Sequence, residues 1–112
     1  MAGTIKRTFG PVAMSITLTT NVYNQGSALI YDVIRHIHIA NKTANSATFT
    51  LYLGATGANA AGTELWLGFP VAANSAFDWY GMLKMVSTDF LVGGSGTATA
   101  LTITGMGEQF VV

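Results

Sequence analysis

The chain has no cysteine. Disulfides and thiolate metal sites are therefore excluded, and cysteine usage gives no clue to redox compartment. It also has little charge. Only 9% of its 112 residues are charged, five basic and five acidic, for a formal net charge of zero, against about 25% in an ordinary soluble domain. No field strong enough to hold nucleic acid or an anionic membrane follows from that balance. Lys6 and Arg7 form the single basic pair. So few charges leave little to repel neighbouring molecules, which suits a surface covered by partners. No run approaches the roughly 20 apolar residues needed to span a bilayer. The N-terminal stretch "MAGTIKRTFGPVAMS" lacks an apolar run of signal-peptide length. Helical periodicity is nearly absent as well, and no stretch reads as a crossover helix, which argues against a parallel βαβ sheet.

What is present is alternation. Half the residues are hydrophobic, arranged in short runs with period two, the pattern of half-buried strands. "VAMSITL" (12–18) reads as a strand with Val12, Met14, Ile16 and Leu18 on one face. "NQGS" (24–27) reads as a turn. "LIYDVIRHIHIA" (29–40) is rich in β-branched residues. Tyr31, Val33, Ile37 and Ile39 share its apolar face, and Asp32, His36 and His38 its wetter one. Arg35 falls on the apolar side, so a bulge or a partner carboxylate is expected there. "TFTLYLG" follows the polar turn "NKTANSA", with Phe49, Leu51 and Leu53 inward. "GATGANAAG" (54–62) has the composition of a surface loop. "TELWLGFPV" aligns Leu65, Leu67 and Phe69, and Pro70 marks an edge or a strand end. "AFDWYGMLKMV" alternates Phe77, Trp79 and Leu83 with Asp78, Tyr80 and Lys84. "STDFLV" is brief, "GGSG" (93–96) reads as a loop, "ATALTITG" aligns Leu101 and Ile103, and "EQFVV" ends the chain with a short strand.

The expected fold is all-β: a single antiparallel β-sandwich of about seven or eight short strands, jelly-roll-like or Ig-like, over residues 12–112. Residues 1–11 are expected to form an N-terminal arm. The expected core comprises Ile16, Leu18, Val33, Ile37, Ile39, Phe49, Leu51, Leu53, Leu67, Phe77, Leu101 and Ile103.

The chemistry-bearing residues are few. His36 and His38 are the only histidines. At i and i+2 on a strand they point the same way and could chelate zinc or copper. A site needs a third ligand. Asp32 lies about 13 Å from His36 by strand rise, so that ligand would have to come from a neighbouring strand. Two imidazoles facing solvent or a partner is the preferred reading: no metal or cofactor is expected, and His36 and His38 remain the candidate ligands. Asp32, Glu64, Asp78, Asp89 and Glu108 show no paired spacing of the kind glycoside hydrolysis uses. Ser, His and Asp all occur, but without a nucleophile-elbow motif. "GGSG" lacks the lysine and helix of a phosphate loop. Tyr31, Phe49, Tyr52, Trp66, Phe77, Trp79 and Tyr80 could stack on bases or sugars, but without interleaved basic residues they read as packing. No enzyme is expected.

Three stretches, "IRHIHIANKTANSATFTLYLG" (34–54), "FPVAANSAFDWYGMLKM" (69–85) and "GTATALTITGMGEQ" (96–109), carry a resemblance. They are similar to small structural proteins of tailed bacteriophage virions, in which a strand ends in a His-apolar-Ala-Asn-x-Thr turn and a late Ala-Leu-Thr-x-Thr-Gly strand precedes a glutamate. The similarity covers roughly residues 28–108. Where the family has a Val-Pro-Ala-Gly entry to the long strand, this chain has "YNQGSALIY". The resemblance implies a non-enzymatic β-sandwich virion protein, foremost a head-stabilising capsid decoration protein in many copies. Alternatives are a tail- or fibre-associated subunit, or a glycan-binding module using Trp66 or Trp79. It implies a location on the capsid surface after synthesis in the host cytoplasm. The expected partners are further copies of the chain, as a trimer, and the major capsid or other virion proteins, with no nucleic acid or membrane. Thr4, Ile5, Lys6, Arg7 and Phe9 of the arm are the expected interface. On this reading Asn41 caps its turn through its amide and Thr43 helps through its hydroxyl.

Overall fold

A computed structural model describes residues 3–54 and 62–112. Eight strands run in the order β1 (Thr4–Ala13), β2 (Asn21–Asn24), β3 (Ile30–Asn41), β4 (Ala47–Gly54), β5 (Glu64–Val71), β6 (Ser75–Met85), β7 (Phe90–Ser95) and β8 (Leu101–Val111). They form two four-stranded antiparallel sheets, β1-β8-β3-β6 and β2-β7-β4-β5. First pairs with last, second with seventh, third with sixth and fourth with fifth. A long antiparallel ribbon rolled up on itself gives this nesting, and β3–β8 and β4–β7 pairs close it into two sheets. That order selects the jelly roll over the Ig-like alternative. The segment expected as a loop at 54–62 lies, for residues 55–61, outside the described residues.

The core fills the space between the sheets with Ile34, Ile37, Ile39, Phe49, Leu51, Met85, Leu91, Leu101 and Ile103, each essentially without solvent exposure. Strand β6 has the cleanest pattern. Phe77, Trp79, Leu83 and Met85 turn towards the core, while Ala76, Asp78, Tyr80, Met82 and Lys84 face out.

Strand β3 departs from strict alternation at Arg35. Opposite β8, Ile34 pairs with Gly107 and His36 already with Met106, so Arg35 is the extra residue of a bulge. Its side chain turns outward, and Nε lies 2.9 Å from Glu108 Oε1. Bulge and carboxylate therefore both occur where the sequence required one of them. The bulge also shifts the phase of everything before it. Asp32 and Ile34 face inward with Ile37 and Ile39, and Tyr31 stacks on Phe110 outside at 5.0 Å. Asp32, expected on the wet face with the histidines, is fully buried instead.

Other expectations are corrected in the same way. Thr4–Ala13 is no arm: it is the edge strand of its sheet, paired along its length with β8. The strand expected at 12–18 ends at Ala13, and the chain there crosses from one sheet to the other. Met14 is buried, Ile16 is exposed and Leu18 is half-buried. On β5, Leu67 is exposed, because Gly68 takes a positive φ of 60° and adds a residue between Trp66 and Phe69. Trp66 and Phe69 consequently both reach Phe49, with ring centroids 5.9 and 5.6 Å away. Pro70 does lie on an edge strand. The "GGSG" loop is largely strand β7. A side chain at Gly93 would strike the Thr50 carbonyl, and one at Gly94 the Ser15 carbonyl, so only glycine lets these backbones approach.

The β3–β4 turn is organised by Asn41, which is 2% exposed. Its amide donates to the carbonyls of Asn45, Val71 and Ala72, and its Oδ1 accepts from the Thr43 backbone and hydroxyl. The Asn45 carbonyl lies 2.9 Å from the same Thr43 hydroxyl and shares its one proton with Asn41 Oδ1.

Candidate functional site

After the bulge, β3 presents His36 and His38 on the outer face of its sheet. In register, His38 stands opposite Asp78 and His36 opposite Tyr80 on β6. Asp78 reaches both rings with one atom. His36 Nε2 and His38 Nδ1 each lie 2.7 Å from Asp78 Oδ1. An ionised carboxylate only accepts, so each imidazole carries a proton on the nitrogen facing it. The hydrogen bonds from His38 and then His36 hold the Asp78 carboxyl below its ordinary value, against the small opposing effect of burial. Tyr80 stacks flat on His36, with centroids 4.4 Å apart and planes 6° from parallel, which helps to fix that ring.

The three donor atoms lie within 4.8 Å of one another. Two imidazoles and a carboxylate form a nitrogen- and oxygen-donor set of the kind that suits borderline divalent ions. A third donor atom does stand on a neighbouring strand beside the two imidazoles, and it belongs to Asp78. No sequence signal named it, since the register of β3 against β6 decides which outward residue of β6 meets His38.

Around this triad the outer face of the sheet mixes exposed apolar side chains with the Arg35–Glu108 pair and Lys84. Ile5 of β1 is 84% exposed, and Met82 and Tyr80 of β6 are 71% and 72% exposed. Ile5, Met106, Arg35, Glu108 and His36 line one shallow groove. The other expected interface residues divide. Thr4 and Arg7 are exposed and Lys6 half-buried. Phe9 is in the core, stacked on Tyr23 at 5.5 Å, where it cannot meet a partner.

Two further features lie away from this face. An open cleft of about 300 Å³ is lined by Leu65, Trp66, Trp79 and Leu83, where the edge strands β5 and β6 meet. Its tryptophans pack edge to face at 5.8 Å. Inside the sandwich, Asp32 Oδ2 accepts from the Tyr23 hydroxyl and from Gln25 Nε2, the latter at 2.6 Å, while Oδ1 has no partner among the described residues. Burial, the Asp32 hydrogen bond and the Asp32 charge, in that order, push the Tyr23 hydroxyl above its ordinary pKa. The sequence hint for this cluster is an acid inside the apolar run "LIYDVI".

The chain matches none of the family models, curated proteins or solved structures with which it was compared.

Proposed function

We propose that this chain is a non-enzymatic structural protein of a bacteriophage virion, laid on the capsid surface in many copies as a trimeric decoration protein. The observation that carries the reading is the outer face of sheet β1-β8-β3-β6. There Ile5, Tyr80 and Met82 are each more than two-thirds exposed in a chain with only 9% charged residues. Exposed apolar surface of this kind marks interfaces. Jelly rolls recur in viral shells, which supports the reading by analogy of fold alone. The occupant of the face is a second copy of the chain. A near-neutral face, its Arg35 and Glu108 already paired with each other, suits a weakly charged patch on the next copy better than a strongly charged partner. The number three comes from the resemblance to decoration proteins.

Particle analysis tests this function. Cryo-electron microscopy of the virions that carry this protein should show it on the head at hundreds of copies. A few to tens of copies at the tail would favour the tail- or fibre-associated role. Absence from the particle would overturn the reading. A glycan-binding module is favoured by one separate observation, the Trp66–Trp79 cleft. Glycan-array binding that is lost in Trp79→Ala would establish it.

A further inference from the structure

We infer that His36, His38 and Asp78 form a surface binding site for a divalent transition-metal ion of the zinc class. The inference is independent of the virion reading and rests on this cluster alone.

Three donor atoms from two paired strands converge on one point, within 4.8 Å of one another. A tetrahedral Zn²⁺ with bonds of about 2.0–2.2 Å sets its ligand atoms about 3.3 Å apart. The two nitrogen–oxygen distances in the triad are 2.7 Å. Admitting an ion therefore needs the side chains to spread by about 0.6 Å, the difference between those spacings, which small side-chain rotations supply. Each neutral imidazole then moves its proton, by exchange with solvent, to the ring nitrogen facing away from Asp78, so that two nitrogen lone pairs and one carboxylate lone pair replace the two hydrogen bonds.

The backbone is already placed for this. His38 and Asp78 are directly opposed in the β3–β6 ladder, and His36 is held by the Tyr80 ring. Little ordering remains when an ion binds, which favours affinity. The donor set selects the ion. Two imidazoles and one carboxylate favour Zn²⁺, with Cu²⁺ tighter by the general order of divalent metals, whereas Mg²⁺ and Ca²⁺ require mostly oxygen ligands. In a single chain the side chains of the triad are 21–38% exposed, so an ion can reach them from solvent while the face is uncovered and keep water or an incoming donor in its remaining positions.

The composition makes the test clean. The chain has two histidines and no cysteine, so any imidazole signal reports on this site. The untagged full chain is titrated with zinc chloride by calorimetry, and its imidazole ¹⁵N resonances are followed by NMR. The expected result is saturable binding of one Zn²⁺ per chain, with both imidazoles shifting together and magnesium chloride giving no response. Asp78→Asn and His38→Ala should each weaken Zn²⁺ binding by more than about 30-fold, within or beyond the 10–100-fold lost when only a supporting hydrogen bond is removed. Unchanged circular dichroism would show that both variants fold, and the wild-type NMR titration stands whether or not they do. No saturable Zn²⁺ binding, a shift in only one imidazole, or binding that survives both substitutions in folded protein would overturn the site.

Discussion

Asp32 and Asp78 carry the same carboxylate on paired strands of one sheet, but they face opposite ways. Asp78 is on the outer face, with two imidazoles on a single oxygen and solvent beside it. Asp32 is inside the sandwich, with Tyr23 and Gln25 on one oxygen and none of the described residues on the other. The bulge at Arg35 sends them apart. Without it, Asp32 would share the histidines' face. The difference is one of dielectric and of alternatives. If Asp78 loses a partner, water replaces it at little cost. If Asp32 loses a partner, water cannot take its place, because the carboxylate is fully buried.

That contrast fixes an order of effects. Asp32→Ala should cost about 3 kcal/mol, the upper range for losing a buried hydrogen-bonding group, because it removes the fully buried acceptor shared by the half-buried Tyr23 hydroxyl and Gln25 amide. The readout is the midpoint shift in urea unfolding. A shift no larger than that of Asp78→Ala would remove the distinction between the two acids. Asn41→Ala should cost about 2 kcal/mol. Asn41 is the other buried polar side chain on the inner face of β3, and unlike Asp32 all its polar atoms are partnered. The same unfolding assay, with proteolysis of the 42–46 turn as a second readout, checks it.

Tyr23→Phe should cost about 1 kcal/mol, one hydrogen bond without its ring packing, and should also change the alkaline limb. The Tyr23 hydroxyl is raised above its ordinary value of 10.0 in the folded protein. Its contribution is therefore fully present below pH 10 and is lost as pH rises above 10 towards the folded value. Stability measured from pH 8 to 11 should fall more steeply in wild type than in Tyr23→Phe. Parallel curves would mean that Tyr23 is not held neutral by its surroundings. The smallest effect belongs to Asp78→Ala, under about 1 kcal/mol for a largely exposed pair, although the same change should abolish the proposed zinc site.

Much of this arrangement was legible in the sequence where local rules suffice. The alternation of "AFDWYGMLKM" puts Phe77, Trp79 and Leu83 inward and Asp78, Tyr80 and Lys84 outward, as they lie in β6, and the Asn41–Thr43 turn follows from short polar side chains bonding nearby backbone. The conflict at Arg35 was visible too, as a charge on an apolar face. Its consequence was not, because a bulge reverses the phase of all preceding residues and the sequence does not say on which side the phase is kept. Strand β1 was missed for a related reason. Its pairing with β8 slips between Arg7 and Phe9 and again between Phe9 and Val12, so no continuous alternation survives to be read. Leu67 was assigned inward because the positive φ of Gly68 has no signature beyond the glycine itself. The third member of the triad depended on inter-strand register, which is a property of the assembled sheet.

The central claim is that the outer face of sheet β1-β8-β3-β6 joins copies of this chain. Sedimentation velocity at micromolar concentration tests it most directly, on wild type and on a Tyr80→Ser/Met82→Ser double variant whose changes lie on the exposed side of β6. The account predicts a trimer for wild type and a monomer with an unchanged β spectrum for the variant. A wild-type monomer, or a trimer that the two substitutions leave intact, would contradict it.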